Sequence, residues 1–260
     1  MSARVRVLAA VAASLAAAVA LTACVALPSP VVASRPKQNE RLGDVLSIDS
    51  SGAGHLRGTV VSWKESAGKG GWSGEAVVAL PAYVEGEPAE VLVPARVDSG
   101  TVAADASGSS AAFPVGPLMS RLEEGHRGAD VLVRKEGGVL RAVSVRPAEA
   151  PAGAPLSVKR VLELDAGGRG TYSGTVTRLV SNVSGGRLWI EPRYSTQGIE
   201  VGVSVPLTWD SATWFVPLDG SQTSLAAALR AGADPFSRRT VDIGFRRAPD
   251  GLIVESVSQR

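Results

Sequence analysis

The stretch Val45-Leu46-Ser47-Ile48-Asp49 occurs a second time, with small changes, as Val161-Leu162-Glu163-Leu164-Asp165. The two stretches lie 116 positions apart, and the same spacing relates Gly58-Thr59-Val60 to Gly174-Thr175-Val176. Between them, Gly52 matches Gly168 and Gly54 matches Gly170. Self-similarity at a fixed spacing is the sequence signature of a repeated structural unit. This block therefore predicts that the chain carries two copies of one small domain.

Two further blocks support the duplication. The second has a spacing of 112 positions and ends on an Asp-Ser-x-Thr motif in each copy. Its matched pairs are Pro94 with Pro206, Val97 with Trp209, Asp98 with Asp210, Ser99 with Ser211, Thr101 with Thr213, and Val102 with Trp214. A third, weaker block places Leu118, Leu122 and Gly125 opposite Leu225, Leu229 and Gly232. Because the three blocks keep their order with small gaps, they favour duplication over coincidence.

Proline-rich segments set the predicted boundaries. Residues 24–39 contain three prolines and are expected to form an extended tether. Residues 147–155 contain three more and are expected to link the copies. The predicted organisation is a signal peptide over 1–23, the tether over 24–39, a first domain over 40–146, the linker over 147–155, and a second domain over 156–260.

Strand patterns dominate both copies, so the expected fold class is mainly β. In the second copy, Val201, Val203 and Val205 alternate with other residues, as expected when one face of a strand is buried. The strands expected there are 161–164, 172–179, 187–191, 200–207, 240–246 and 252–258. Asp250-Gly251 is expected to turn the last hairpin, as Glu136-Gly137-Gly138 does in the first copy. One short helix per copy is expected, over 117–124 and 221–231.

The order of three strands, a helix and two strands resembles the OB-fold, a small five-stranded barrel. It is also similar to domains of unknown function in exported actinobacterial proteins. Both resemblances rest on pattern alone, and a sandwich of similar short strands is the alternative. The expected architecture is thus two tandem OB-like barrels.

The first 24 residues have the organisation of an export signal. Arg4 and Arg6 precede the apolar run from Val7 to Leu21, and small residues follow. Leu21-Thr22-Ala23-Cys24 resembles the lipobox of bacterial lipoproteins. The resemblance implies cleavage before Cys24, attachment of diacylglycerol to its sulfur, and location on the outer face of the cell membrane. An uncleaved transmembrane helix is the alternative, since the segment is long enough to span a bilayer.

Composition and spacing leave little support for catalysis. His55 and His126 are the only histidines, and neither has a Cys or carboxylate at ligand spacing, so each is expected to be a solvated loop residue. We expect no metal and no cofactor. Without Arg4 and Arg6 the chain carries 25 basic and 25 acidic side chains, and it has no basic run longer than two. Nucleic acid is therefore not an expected partner.

The repeated Asp-Ser-x-Thr motif is the most specific candidate site. Such residues commonly close turns through bonds to nearby backbone N–H groups, so a structural turn is one interpretation. A small polar recognition site is the other, with two tryptophans beside the second copy of the motif. The candidate ligand-binding residues are Asp98, Ser99, Thr101, Trp209, Asp210, Ser211, Thr213 and Trp214.

These observations favour a lipid-anchored, non-catalytic binding or interaction module outside the membrane. Its partner is expected to be a protein, a glycan or a lipid, besides the membrane that holds Cys24. A cell-envelope hydrolase would instead require a deep pocket lined by carboxylates. A carrier of lipid or small solutes would require a sizeable apolar cavity.

Overall fold

The architecture was obtained from a computed structural model of the chain. It describes residues 37–38, 46–68, 71–84, 86–105, 107, 109, 114–149, 156–158, 161–182, 184–233, 235–236 and 240–260. The predicted signal peptide, Cys24, most of the tether and residues 150–155 of the linker lie outside these ranges. Neither described helix has the length and hydropathy that spanning a bilayer requires. We call residues 37–149 the first half and residues 156–260 the second half.

The described residues form a mainly β structure with few helices, which confirms the expected class. The strands of the first half are β1 (Lys37–Gln38), β2 (Ala53–Gly68), β3 (Gly71–Val84), β4 (Glu87–Asp98), β5 (Val102–Ala103), β6 (Gly128–Glu136) and β7 (Val139–Pro147). Those of the second half are β8 (Leu156–Val158), β9 (Arg169–Gly174), β10 (Val176–Ser181), β11 (Gly185–Ile190), β12 (Arg193–Thr196), β13 (Ile199–Asp210), β14 (Trp214–Val216), β15 (Thr223–Ser224), β16 (Val241–Ala248) and β17 (Gly251–Gln259). The helices are α1 (Val115–Glu124) and α2 (Leu225–Arg230).

Five strands of the first half close into a barrel. β2 pairs with β3, β3 with β4, and β6 with both β2 and β7, all antiparallel. The ring closes where β4 meets β7 in parallel, with Arg96 opposite Arg141. Closure gives each of these five strands a partner on both sides wherever it overlaps its neighbours, which removes most of the open sheet edge.

The barrel interior follows from the alternation of side chains along each strand. On β4 the residues Ala89, Val91, Val93, Ala95 and Val97 are buried, and those between them are more exposed. The interior is therefore filled mainly by valine, alanine and leucine, whose burial supplies the main favourable term in folding. The helix α1 adds Met119 and Leu122 to the same core.

The second half pairs its strands in the same order. β10 pairs with β11, β11 with β13, β16 with both β9 and β17, and β13 meets β17 in parallel. Irregularities recur at matching places, since the register shift between Val60 and Ser62 corresponds to that between Val176 and Arg178. The carboxylates of Asp49 and Asp165 each accept two backbone hydrogen bonds from residues two and four positions later.

The elements expected in the second half are present with shifted ends, apart from the first strand. Residues 161–164 are not a strand, although Val161 and Leu162 are buried, because the chain there leads into the turn held by Asp165. The expected helix over 221–231 is shorter, because Thr223 and Ser224 pair with β14 before the helix begins. Ser224 then caps α2 by accepting a bond from the Ala227 N–H.

The two halves share one hydrogen-bonded sheet through β4 and β13. These strands run antiparallel, with Val91 opposite Val203, Leu92 opposite Gly202 and Glu90 opposite Ser204. Val91 and Val203 are themselves related by the spacing of 112. The halves therefore meet about a local two-fold axis that passes between these valines.

Each half also donates a strand to the other. β8 is the first strand of the second half but pairs in parallel with β3 of the first, placing Leu156 opposite Ala82. β1 is the first strand of the first half but pairs in parallel with β12 of the second, placing Lys37 opposite Tyr194. Because Ala82 and Tyr194 are again 112 positions apart, the exchange is reciprocal. We call β1 and β8 the exchanged strands.

These contacts predict that the halves stay together when the connection between them is cut. A site-specific protease sequence placed between Glu149 and Leu156 should yield two fragments that co-elute as one species on size-exclusion chromatography. The expected reason is that β4, β13 and the exchanged strands hold the halves independently of the linker.

The uncut protein provides the reference elution volume, and a denaturing gel reports the cleavage. Two separate peaks from fully cleaved protein at micromolar concentration would show that the linker, and not the shared sheet, keeps the halves together.

Candidate functional site

The Asp98 turn follows the last residue of β4 and is closed by local hydrogen bonds. The Asp98 N–H donates to Thr101 Oγ1 (3.1 Å), and the Gly100 N–H donates to Asp98 Oδ1 (2.9 Å). The buried Thr101 hydroxyl donates in turn to the Ala142 carbonyl of β7 (2.8 Å). Ser99 is exposed. Thr101 thus attaches the turn to the barrel.

The Asp210 turn has the same bonds at matching atoms. The Asp210 N–H donates to Thr213 Oγ1 (3.1 Å), and the Ala212 N–H donates to Asp210 Oδ1 (2.8 Å). The buried Thr213 hydroxyl donates to the Val254 carbonyl of β17 (2.9 Å). Ser211 is exposed. In both halves, therefore, the buried threonine has a structural use and is not available to a ligand.

The two turns differ in how the carboxylate is neutralised. Arg141 forms a bidentate pair with Asp98, through Nε to Oδ2 (2.8 Å) and one terminal nitrogen to Oδ1 (3.0 Å). These bonds from Arg141 hold the pKa of Asp98 below its ordinary value. The position equivalent to Arg141 is Ile253, and no cationic side chain in the described part of the chain pairs with Asp210. The exposed Asp210 carboxylate is therefore left to solvent on one oxygen.

The two tryptophans beside the Asp210 turn do not form one surface. Trp209 points into the core and is 1% exposed, whereas Trp214, the first residue after the turn, is 55% exposed. The matching residue in the first half, Val102, is also exposed. Of the two tryptophans, only Trp214 thus contributes to the surface, four residues after the exposed Asp210.

A second polar cluster lies on the outer face of β2, β6 and β7. It is centred on Asp130, whose side chain is only 3% exposed. Asp130 accepts hydrogen bonds from His55 Nδ1 (2.9 Å), Arg57 Nε (3.3 Å) and Arg146, the last through Nε (3.2 Å) and a terminal nitrogen (2.6 Å). Burial by itself raises the pKa of Asp130, but the hydrogen bonds and charges of His55 and Arg146 outweigh it, so the pKa lies below its ordinary value.

This cluster was missed from the sequence. His55 was expected in a loop but lies in β2, and its partner is 75 positions away. His126 does follow a helix, in a turn after α1 with a positive φ. A repeat-based comparison could have drawn attention to Asp130, because Asp242 occupies the matching place and is held by Ser173 and Arg260.

The described residues contain no group of three or more His, Cys, Asp or Glu side chains arranged to hold a metal ion. The chain matches no protein-family model and no curated protein.

Because only Asp98 is paired with an arginine, removing its carboxylate should lower the free energy of unfolding more than removing that of Asp210. Asp210→Ala should lower the free energy of unfolding by about 1 kcal/mol, the usual cost of one hydrogen bond. Asp98→Ala should cost about 2 kcal/mol, because a charged pair with a half-exposed arginine is lost as well. Chemical denaturation of each variant measures the difference.

Thr101→Val and Thr213→Val provide matched controls. Because both hydroxyls accept one backbone bond and donate another, the two valine variants should be destabilised equally, by about 1–3 kcal/mol. Equal costs for the two aspartate variants would contradict the stabilising part assigned to Arg141.

Proposed function

We propose that this chain is a lipid-anchored lipoprotein on the outer face of the cell membrane and acts as a non-catalytic binding module. In this proposal two tandem OB-like domains form its body, and Cys24 carries the anchor. The closed barrel of the first half is consistent with an OB-fold, since its helix lies between the third and fourth strands of the ring. The matching turns, register shifts and strand order of the second half support the duplication.

The observation that carries the binding function is the exposed indole of Trp214 after an unneutralised carboxylate. Tryptophan combines a large apolar ring with one polar N–H, and such side chains are enriched at binding surfaces. In the first half the same two positions carry a small aliphatic residue and an aspartate closed by Arg141. The second half therefore offers an exposed aromatic ring and a carboxylate oxygen without a cationic partner, and the first half offers neither.

The chemistry around Trp214 favours a polyhydroxylated ligand. Ser224 and Ser256 lie opposite Trp214 on the neighbouring strands β15 and β17, and both are partly exposed. An aromatic face can cover the apolar C–H face of a sugar ring, while hydroxyl and carboxylate oxygens bond its hydroxyl groups. We therefore propose a glycan of the cell envelope as the ligand class.

Trp214→Ala should abolish binding to isolated cell-envelope glycan, because the stacking surface is removed. Asp210→Asn should weaken binding less, because the amide still offers an oxygen acceptor and can still close the turn. Co-sedimentation of purified protein with the glycan fraction measures both effects.

Val102→Ala is the matched control, since it changes the equivalent position of the first half. It should bind as the unaltered protein does, and all three variants should keep their melting temperatures. If Trp214→Ala sediments normally, or binds a protein component and not glycan, the proposed ligand class is wrong.

The anchor is tested by Cys24→Ala. Lipid attachment requires a sulfur at this position, so the variant should not incorporate radiolabelled fatty acid and should be released or remain an unprocessed precursor. Detergent phase partitioning measures whether the variant is released, and mass measurement shows whether it remains an unprocessed precursor. A variant still cleaved at the same bond and still partitioning into detergent would refute the lipoprotein proposal.

A further inference from the structure

The cluster around Asp130 has more positive charge than its buried carboxylate needs. Arg146 alone compensates Asp130, because it donates two hydrogen bonds to Oδ2. Arg57 and His55 add a second fixed cation and an imidazole to the same carboxylate. A single buried carboxylate therefore lies beneath two guanidinium groups and a histidine.

The donors not used on Asp130 are accessible to solvent. Arg57 binds Asp130 only through Nε, and its side chain is 68% exposed, so both terminal nitrogens remain for another partner. His55 is bound through Nδ1 and is 53% exposed, which leaves Nε2. Bonds to a buried acceptor fix the orientation of these side chains, so less entropy is lost when they bind a ligand.

The surrounding face adds charge of the same sign. Arg134 lies on β6 four residues after Asp130 and therefore on the same face of the strand. It is exposed and has no acidic partner in the described part of the chain. Arg134 therefore adds positive charge to this face, which favours an anion. Glu136, the next residue on the same face, is paired with Arg141.

The second half offers an internal comparison, because the same positions are neutralised there. Ser173 replaces Arg57, and Asp242 is paired with a single guanidinium, from Arg260. Arg246, which matches Arg134, is paired with Glu255, which it shares with Arg169. Each of these arginines in the second half therefore has a carboxylate partner, whereas Arg134 has none among the described residues.

We propose that Arg57, Arg146 and His55, oriented by Asp130, form a binding site for a phosphate group. Guanidinium groups present planar sets of N–H donors that match phosphate oxygens, and charge-assisted bonds of this kind are among the stronger ones in proteins. Free phosphate and the phosphodiester of a lipid headgroup or polymer share this chemistry. The site has no residue in common with the Trp214 surface, so either proposal can fail alone.

The test is calorimetric titration of the full chain, purified in a non-ionic detergent, at constant ionic strength. One arm uses inorganic phosphate, and the other uses glycerophosphoglycerol, the soluble phosphodiester of a lipid headgroup. We expect saturable binding of at least one probe, and Arg57→Gln should weaken it about tenfold through loss of a charge-assisted contact. His55→Gln should weaken it less.

Arg246→Gln is the matched control, because it removes the same charge from the equivalent face of the second half. It should leave the affinity unchanged, whereas Arg57→Gln should keep the folded state, since Arg146 still pairs with Asp130. Tighter binding of the diester would assign the site to headgroups or phosphate-linked polymers, and tighter binding of phosphate would assign it to the free ion.

Three results would overturn the proposal. The first is the absence of saturable binding of either probe below about 10 mM. The second is unchanged affinity in Arg57→Gln, and the third is an equal loss in Arg246→Gln, which would attribute the effect to net charge.

Discussion

The backbone pairing between β4 and β13 is the interaction on which the arrangement of the molecule depends. Val91 and Val203 face each other at the local two-fold axis, and each strand also pairs with strands of its own half. A strand that is shared in this way cannot shift its register without moving its entire buried set of side chains. The placement of one half against the other follows from this register.

The two halves share their interior pattern but differ at their surfaces, because packing constrains the interior positions alone. Interior positions must fill a barrel, so valine and leucine recur there in both halves. Outer positions carry no such constraint. The surfaces have diverged accordingly. Arg141 closes one turn and an exposed tryptophan follows the other, and Ser173 of the second half stands where the first half has Arg57.

Much of the fold was accessible from the sequence, because turns and alternation are local properties. The repeated Asp-Ser-x-Thr motif placed both turns, and the alternating valines 201, 203 and 205 placed β13. The exchanged strands were not accessible, since Lys37–Gln38 and Leu156–Val158 are too short to show a periodic pattern. The site around Asp130 was missed for a related reason. It joins residues from three strands, and only the pairing of β2 with β6, far apart in sequence, brings His55 within 2.9 Å of Asp130.

The reciprocal exchange of β1 and β8 has a consequence for the order in which the chain can fold. During synthesis, the end of β3 at residues 82–84 has no partner on one edge until residues 156–158 have followed it. β1 in turn waits for β12, which begins more than 150 residues later. Contacts of such long sequence separation require the closure of large loops and slow the folding reaction. Neither half can therefore complete its hydrogen bonding alone, and the last steps of folding must join both at once.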